Sequence, residues 1–309
     1  MADFTKIHFT KVHGNGNDFI VLENLDRRRS SPDLARFAKL LCRRKFSVGA
    51  DGLLVVEKPE SAGRKATDEK APDFVMRIFN ADGSEGEMCG NGARALARYA
   101  FEKKLAGASM CFTTLAGPVQ ARVAPPYVEL DMGELDLEGS VFGQSLKIRG
   151  LEFPYVFLTA GVPHCVLLVE DYDAIGMSSK VEIGRELSRD FNRFPKGSNV
   201  SFAQLLSKTE AKAVTYERGV ENLTESCGTG SVAAAVAFAM TGNAAHTLRV
   251  RNPGGVNEVR LDFAPGKGSC HAWLKGRTAL VAEGQICEDA LVEDALAEGA
   301  LVEDQEDPS

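Results

Sequence analysis

The chain has 309 residues, 44% of them hydrophobic, and carries a formal net charge of −7. This length and composition provide a substantial core and predict two domains or one large one. The negative charge argues against nucleic acid or an anionic membrane as the main partner. No apolar run approaches the roughly 18 residues of a membrane-spanning helix, and the N-terminus lacks the layout of a signal peptide. We therefore expect a soluble protein of the cytoplasm.

The predicted elements alternate between strands and helices, as in a mixed α/β protein. The segment 59–73 is polar and charged, which predicts an exposed insertion. From about residue 145 a similar order begins again: a strand with a glycine turn, a helix, a strand, a Cys-Gly-x-Gly turn and a helix. This weak internal repeat predicts two related domains that face each other. The main predicted strands are 8–13, 19–24, 52–57, 73–80, 154–159, 165–170, 198–205 and 212–217, with further short strands in 109–132 and up to about 281; the predicted helices run from Ser31 to about Arg44 and over 92–104, 181–191 and 228–241.

The chain contains seven cysteines, an odd number that favours reduced thiols in a cytoplasmic protein. No two of them form a Cys-x-x-Cys pair, so we expect no zinc site. Five lie in or beside apolar runs and are interpreted as small buried hydrophobic residues. The other two, Cys89 and Cys227, each precede a Gly-x-Gly turn at the start of a predicted helix.

The start of a helix presents free backbone N–H groups and a partial positive charge. A thiol there is expected to lose its proton more easily than a free cysteine, and the glycines allow a ligand carboxylate to approach the backbone. Two such turns at equivalent points of two similar halves predict a pair of opposed thiols. Inversion of a carbon centre requires this arrangement, because a base acts on one face and an acid on the other. The scheme requires neither a metal nor an organic cofactor.

Three other interpretations of the two cysteines remain open. They could form a structural disulfide, which a cytoplasmic location disfavours, or a redox pair, although neither lies in a Cys-x-x-Cys. One could be the nucleophile of a cysteine hydrolase, with His13 or His164 as its base. The hydrolase leaves the second glycine turn without a role.

Short sequence blocks around these turns resemble the signature sequences of the diaminopimelate epimerase family. They occur in the family's order and, from residue 8 to about 285, cover nearly the whole chain apart from the insertion and the tail. Proline racemase and its relatives share the fold, but generally not this full set. The blocks are HGNGNDF (13–19), NADGSEGEMCGNGAR (80–94), PHCV (163–166), NVSF (199–202), YERG (216–219) and SCGTGS (226–231).

The resemblance implies interconversion of LL- and meso-diaminopimelate without a cofactor, by a homodimer that acts on this small amino-acid substrate. It implies that Cys89 and Cys227 are the base and the acid, and that His164 and Glu217 tune the pKa values of the thiols. It places the carboxylate-binding helix starts at Gly90 and Asn91 and at Gly228 and Thr229. The remaining implied substrate contacts are Asn17, Asn80, Asn199, Glu217 and Arg218, the last of these as the clamp for the distal carboxylate.

The sequence also departs from the family pattern. Val162 stands where many members carry an asparagine that touches the distal end of the substrate, and Gly52 stands where some have a glutamine. Both positions lie away from the reacting carbon, so the inversion chemistry is unaffected. They bear on which distal group of the substrate the protein accepts. A racemase of another amino acid on the same scaffold is therefore the second hypothesis, and a non-catalytic carboxylate-binding protein is the third.

The resemblance also implies the architecture, an α+β fold with two pseudo-symmetric domains. Each domain is a curved, mostly antiparallel sheet around a central helix, as in diaminopimelate epimerase. We predict a first domain over 1–132 with a returning segment at about 280–293, a second domain over 133–279, and an acidic tail over 294–309.

Overall fold

The computed structural model describes residues 7–59 and 71–291. Most of the predicted insertion and the whole predicted tail lie outside the described residues. Within them the chain forms four α-helices and seventeen strands. The helices are α1 (Ser31–Leu41), α2 (Gly90–Glu102), α3 (Met177–Ser188) and α4 (Gly228–Met240); the strands are β1 (Ile7–Gly14), β2 (Asn17–Glu23), β3 (Gly52–Glu57), β4 (Phe74–Asn80), β5 (Glu85–Gly86), β6 (Ser109–Thr114), β7 (Gly117–Ala124), β8 (Tyr127–Asp136), β9 (Val141–Ile148), β10 (Leu151–Ala160), β11 (Val162–Leu168), β12 (Asn199–Ser207), β13 (Glu210–Glu217), β14 (Asn222–Thr224), β15 (Thr247–Asn252), β16 (Gly255–Phe263) and β17 (Ser269–Ile286).

The first half of the fold is a ring of strands around α2. In order around the ring the strands are β1, β2, β3, β4, β6, β7, β8 and β17, and β17 pairs back onto β1. Two of these neighbours, β2 with β3 and β4 with β6, are parallel, because α1 and α2 provide the crossovers between them. The core of this ring contains the alanines of α2 together with Leu96, Phe19 and Phe112.

The second half repeats this plan around α4. Its strands follow the order β9, β10, β11, β12, β13, β15, β16 and β17, and the parallel neighbours are again those joined through a helix. The helix α4 is rich in alanine and buried over Gly230–Ala239, so its small side chains let the surrounding strands pack closely on every side. The outer helices α1 and α3 cover the other face of each sheet. The predicted fold class is confirmed.

The strand β17 joins the two halves. Its residues from Ser269 to Arg277 lie between β16 and β8, and its residues from Thr278 to Ile286 pair with β1. Residue 132, where the sequence predicts the domain boundary, lies inside β8. The predicted domain limits stay predictions.

Several element boundaries differ from those predicted. Helix α1 is capped by Ser30 rather than Ser31, because Ser30 and Asp33 form a reciprocal capping box, and it ends at Leu41. Helix α2 begins at Gly90, two residues earlier than predicted, because Cys89 is its N-cap. Strand β9 was not predicted, since Gly143 interrupts a largely exposed segment. None of the helices in the described residues has the length and apolar content that crossing a membrane requires.

Candidate active site

Cys89 caps the N-terminus of α2 with its sulfur. The Cys89 backbone is extended, and its Sγ accepts a hydrogen bond from the Gly92 N–H at 3.5 Å. A Cβ on Gly92 would lie 3.1 Å from Leu54 Cδ2 and 3.6 Å from Cys89 Cβ. Glycine therefore lets the first turn of the helix pack tightly while its N–H points at the sulfur.

Cys227 caps α4 in the same way. Its Sγ accepts from the Gly230 N–H at 3.3 Å and lies 3.5 Å from Thr229 Oγ1. A Cβ on Gly230 would overlap Thr215 Oγ1 and lie 3.2 Å from the Cys227 sulfur. The two halves of the fold thus repeat a thiol at a helix start, as the paired sequence motifs predict.

The two helix starts are neighbours. A Cβ on Gly90 would lie 3.8 Å from Leu274 Cδ2, and one on Gly228 would lie 2.8 Å from the same atom. Asn91 Nδ2 also donates a 2.6 Å hydrogen bond to the carbonyl oxygen of Ser226, the residue before Cys227. The first turn of α2 is therefore tied directly to the thiol turn of α4.

Asn17 lies beside Cys89 in a fixed orientation. Its Nδ2 donates to Asp51 Oδ2 at 2.8 Å, and a carboxylate can only accept, so the amide oxygen must face the other way. That oxygen accepts from Asn91 Nδ2 at 3.3 Å and from the Cys89 thiol at 3.6 Å. Asp51 is in turn paired with Arg44 at 2.9 Å. An ion pair thus holds the amide that contacts the first thiol.

Glu217, at the end of β13, is the acidic group of the site. Its Oε1 accepts a 2.5 Å hydrogen bond from Thr224 Oγ1. Burial raises the pKa of Glu217, and the hydrogen bonds from Thr224 and Cys227 oppose this rise. The charge of Glu217 raises the pKa of both Cys227 and Cys89, so one carboxylate acts on the two sulfurs.

The expectation that these thiols lose their protons more easily than a free cysteine is wrong, although the N–H groups at the helix starts do lower both pKa values. Burial raises the pKa of Cys89, and the Gly92 N–H lowers it by less. Burial also raises the pKa of Cys227 well above its ordinary value, with the Glu217 charge acting in the same direction. Desolvation of a sulfur anion outweighs the backbone N–H groups at each helix start, and the raised pKa values favour the thiol form of both groups.

His164, Asn199 and Arg218 lie together on the second half of the site. His164 on β11 pairs with Asn199 on the parallel strand β12, and Asn199 Oδ1 accepts from the Arg218 N–H at 2.9 Å. Burial and then the Arg218 charge lower the pKa of His164 to about 3, and neither of its ring nitrogens has a hydrogen-bond partner in the part of the chain that the structure describes. The exposed Arg218 guanidinium donates to the Lys196 carbonyl.

Three further sequence positions lie at strand ends: Asn80 ends β4, Gly52 begins β3 and Val162 begins β11. Asn80 is exposed, pairs with Gly52 across β3 and β4, and donates from its amide to Ser84 Oγ at 2.9 Å. Val162 is 37% exposed. A Cβ on the preceding residue, Gly161, would lie 3.8 Å from Thr229 Cγ2. The turn residue before Val162 therefore lies close to the start of α4.

Sequence reasoning missed three residues that the structure brings to the thiols: Asp51, Arg94 and Ser226. Arg94 is completely buried in α2, and its Nη2 donates to Asn91 Oδ1 at 2.5 Å. An arginine in a helix is ordinarily exposed, and the signal that could have singled out Arg94 is its place at the end of the block NADGSEGEMCGNGAR. In the described residues no group of three or more His, Cys, Asp or Glu side chains is arranged to hold a metal ion.

Comparisons with known proteins agree with this geometry. The sequence profile of the family described as diaminopimelate epimerase matches residues 9–137 and 156–267. A diaminopimelate epimerase from Methanothrix thermoacetophila is 36% identical over 92% of this chain and 97% of its own length, and one from Methanocella arvoryzae is 36% identical over 92% and 98%. A crystal structure of a PhzF-family phenazine biosynthesis protein from Bacillus anthracis superposes with a TM-score of 0.70, covering 92% of this chain and 99% of that one. Its 16% identity makes it similar in fold alone.

Proposed function

The chain belongs to the diaminopimelate epimerase family, and from that premise we propose that it interconverts LL- and meso-diaminopimelate, with Cys89 and Cys227 as the two proton-transfer groups. The observation that carries the proposal is the pair of N-cap thiols at two adjacent helix starts, one from each half of the fold. The reaction belongs to the synthesis of lysine and peptidoglycan. It needs no cofactor, because both protons move through sulfur.

The chemistry requires one thiolate and one thiol on opposite faces of the α-carbon. Both sulfurs rest as thiols, so a proton must leave one of them when substrate binds. Glu217 suits this step at Cys227, because its carboxylate accepts from that thiol and has a raised pKa. The positive α-ammonium group of the substrate then favours the thiolate by its charge. The second thiol returns a proton from the other face.

The substrate α-carboxylate fits between the two helix starts. Gly90 and Asn91 on one side and Gly228 and Thr229 on the other supply backbone N–H groups that point along the helix axes into the site. Negative charge that develops on this carboxylate as the α-carbon becomes planar is stabilised by the same groups. Asn17 and Asn80 approach from the first half, and Asn199, Glu217 and Arg218 from the second, as further substrate contacts.

The guanidinium of Arg218 is exposed and suits a distal carboxylate. His164 is fully buried and pairs with Asn199 across β11 and β12, and its proposed role is to tune the pKa of a thiol. On assembly and location, we propose a homodimer in the cytoplasm. We also propose that domains 1–132 with 280–293, and 133–279, close on the substrate and exclude water.

Val162 supports one alternative, a racemase of a different amino acid. Its exposed side chain at the start of β11 cannot donate a hydrogen bond to a polar distal group. The hydrolase alternative has less support, because Cys89 contacts Asn17 and Gly92 rather than an imidazole among the described residues, and His13 Nδ1 accepts from the Gly16 N–H. All seven cysteines, which lie within the described ranges, are free thiols.

The test is exchange of the α-proton in deuterated water, with LL-diaminopimelate and a panel of other amino acids. We expect exchange and epimerisation with diaminopimelate, and a loss of about 10²- to 10⁴-fold in Cys89→Ser and in Cys227→Ser. Cys287→Ser is the matched control, because Cys287 is exposed, and it should keep full activity. Turnover of another amino acid alone would support the racemase. Ligand binding without turnover would support a carboxylate-binding protein, and an acyl-enzyme formed at Cys89 in Cys227→Ser would support a hydrolase.

A further inference from the structure

Arg94 is a buried cation that has no carboxylate partner among the described residues. Its side chain is 0% exposed, and within the described ranges its Nε and Nη1 atoms have no hydrogen-bond partner. Its Nη2 donates to the neutral amide oxygen of Asn91. Fully buried arginines are ordinarily paired with an anion, because removal of a charge from water is unfavourable unless a counter-charge replaces the solvent. The burial of Arg94 without an anion beside it therefore needs an explanation.

The guanidinium occupies a space prepared for it between the two halves of the fold. A Cβ on Gly276 of β17 would lie 2.8 Å from Arg94 Nε and 3.0 Å from Cζ. A Cβ on Gly228, the first residue of α4, would lie 3.7 Å from Nη1. Glycine at 276 is thus required for this placement, and the cation lies beneath both helix starts.

The counter-charge that Arg94 lacks arises at the thiols. Burial lowers the pKa of Arg94 to about 10, and among the described residues the ionisable group that opposes this effect is the Cys89 sulfur. In return, Arg94 lowers the pKa of Cys89, whereas burial and the Glu217 charge raise it. Arg94 and Cys89 therefore stabilise each other's charged forms. The cation is unbalanced when Cys89 is a thiol and balanced when it is a thiolate.

Arg94 also fixes the amide of Asn91. Because the guanidinium only donates, the Asn91 oxygen must face it, and Nδ2 then faces the Ser226 carbonyl and Asn17 Oδ1. The same amide thus reaches the residue before Cys227 and the side chain that contacts Cys89. Loss of the Arg94 hydrogen bond would free Asn91 to rotate and would loosen both contacts.

We propose that Arg94 is a positioning residue of the epimerase site that orients Asn91 and supplies the fixed positive charge opposite the Cys89 thiolate. This inference rests on the proposed role of Cys89 as a proton-transfer group. The Arg94 guanidinium is excluded from solvent, so salt screens its charge little. In this role Arg94 does not need to contact the substrate.

The test measures Cys89 directly and does not depend on turnover. Iodoacetamide alkylation of Cys89 is followed by peptide mass spectrometry across a pH series, with the exposed Cys287 as an internal reference. In Arg94→Met the apolar side chain fits a buried site and should fold, and we expect alkylation of Cys89 at pH 8 to slow about tenfold, as its pH profile moves to higher pH. Arg94→Lys keeps the charge and should stay within about threefold of the parent. Arg98→Met, one turn along α2, removes a guanidinium that is paired with Glu102 and should change nothing at Cys89.

The outcomes separate this inference from the proposed function. An unchanged Cys89 profile in a folded Arg94→Met protein would overturn the role of Arg94, even if diaminopimelate is epimerised. A shifted profile with rescue by lysine would support it, even if another amino acid proves to be the substrate. Equal slowing in Arg94→Met and Arg94→Lys, with thermal unfolding unchanged, would also overturn it, because charge would then not matter.

Discussion

Asn91 Nδ2 and the carbonyl oxygen of Ser226 are joined by a 2.6 Å hydrogen bond between the two halves of the fold. Asn91 is the second residue of α2, and Ser226 immediately precedes Cys227. The contact therefore sets the first thiol turn against the second before any substrate binds. Preorganisation of this kind reduces the entropy lost when two reactive groups must meet one carbon.

The glycine at the third position of α4 is predicted to be indispensable. In Gly230→Ala the new methyl group overlaps Thr215 Oγ1 and crowds the Cys227 sulfur. We expect a loss of about 1–3 kcal/mol in the free energy of unfolding, as for other overpacked interiors, together with a large loss of epimerase activity. Urea unfolding and turnover measure the two effects. Gly268→Ala, where a Cβ has no neighbour within 4 Å, is the control, and equal stability of the two variants would contradict the packing argument.

Removal of the Glu217 charge should make the thiols more acidic and should nevertheless lower turnover. Burial first, and the Glu217 charge in addition, raise the pKa of Cys227 and Cys89. In Glu217→Gln we therefore expect the pH profile of Cys89 alkylation to move to lower pH. Turnover should nevertheless fall, because Cys227 loses its proton acceptor. Glu221→Gln removes a half-buried carboxylate four residues on, which is paired with Arg189, and should leave the profile in place. A profile that moves upward in Glu217→Gln would refute the assignment.

His164 should make the protein sensitive to acid. Burial and the Arg218 charge lower its pKa from 6.5 to about 3 in the folded protein, so the unfolded chain binds a proton as the pH falls below 6.5 while the folded protein does not. Stability present above pH 6.5 is thus lost as the pH falls toward 3.

Between pH 7 and pH 5 this group alone should lower the free energy of unfolding by about 2 kcal/mol. Urea unfolding at the two pH values should show a smaller decrease in His164→Gln than in the parent protein. His8→Gln replaces an exposed histidine and should retain the parent's decrease. An identical decrease in all three proteins would show that His164 is not the group responsible.

Local sequence patterns predicted the elements that carry the thiols, because a helix start is specified by a few adjacent residues. The Gly-x-Gly after Cys89 and after Cys227 predicts a helix start with a free N–H near the sulfur, and both sulfurs accept such a bond. The second half repeats the helix start of the first because its sequence contains the same short-range signals.

The properties that sequence reasoning missed depend on tertiary contacts between distant parts of the chain. The direction of the thiol pKa shifts depends on burial, which the surrounding strands impose. Arg94 is an ordinary helix residue by sequence, and only the glycine at 276 on a distant strand makes room for its buried guanidinium. Asp51 lies in a loop, and its role depends on the Asn17 amide that folding brings to it.

The central claim is that two thiols act on opposite faces of one carbon, and the fate of the α-proton tests it most directly. LL-diaminopimelate is converted in deuterated water, and product and remaining substrate are analysed at low conversion. Each sulfur exchanges with solvent before substrate binds, so the account predicts that the meso product carries deuterium at the inverted carbon while the remaining LL substrate keeps its proton. A meso product that retains the original proton would mean that a single group serves both faces, and it would contradict the account.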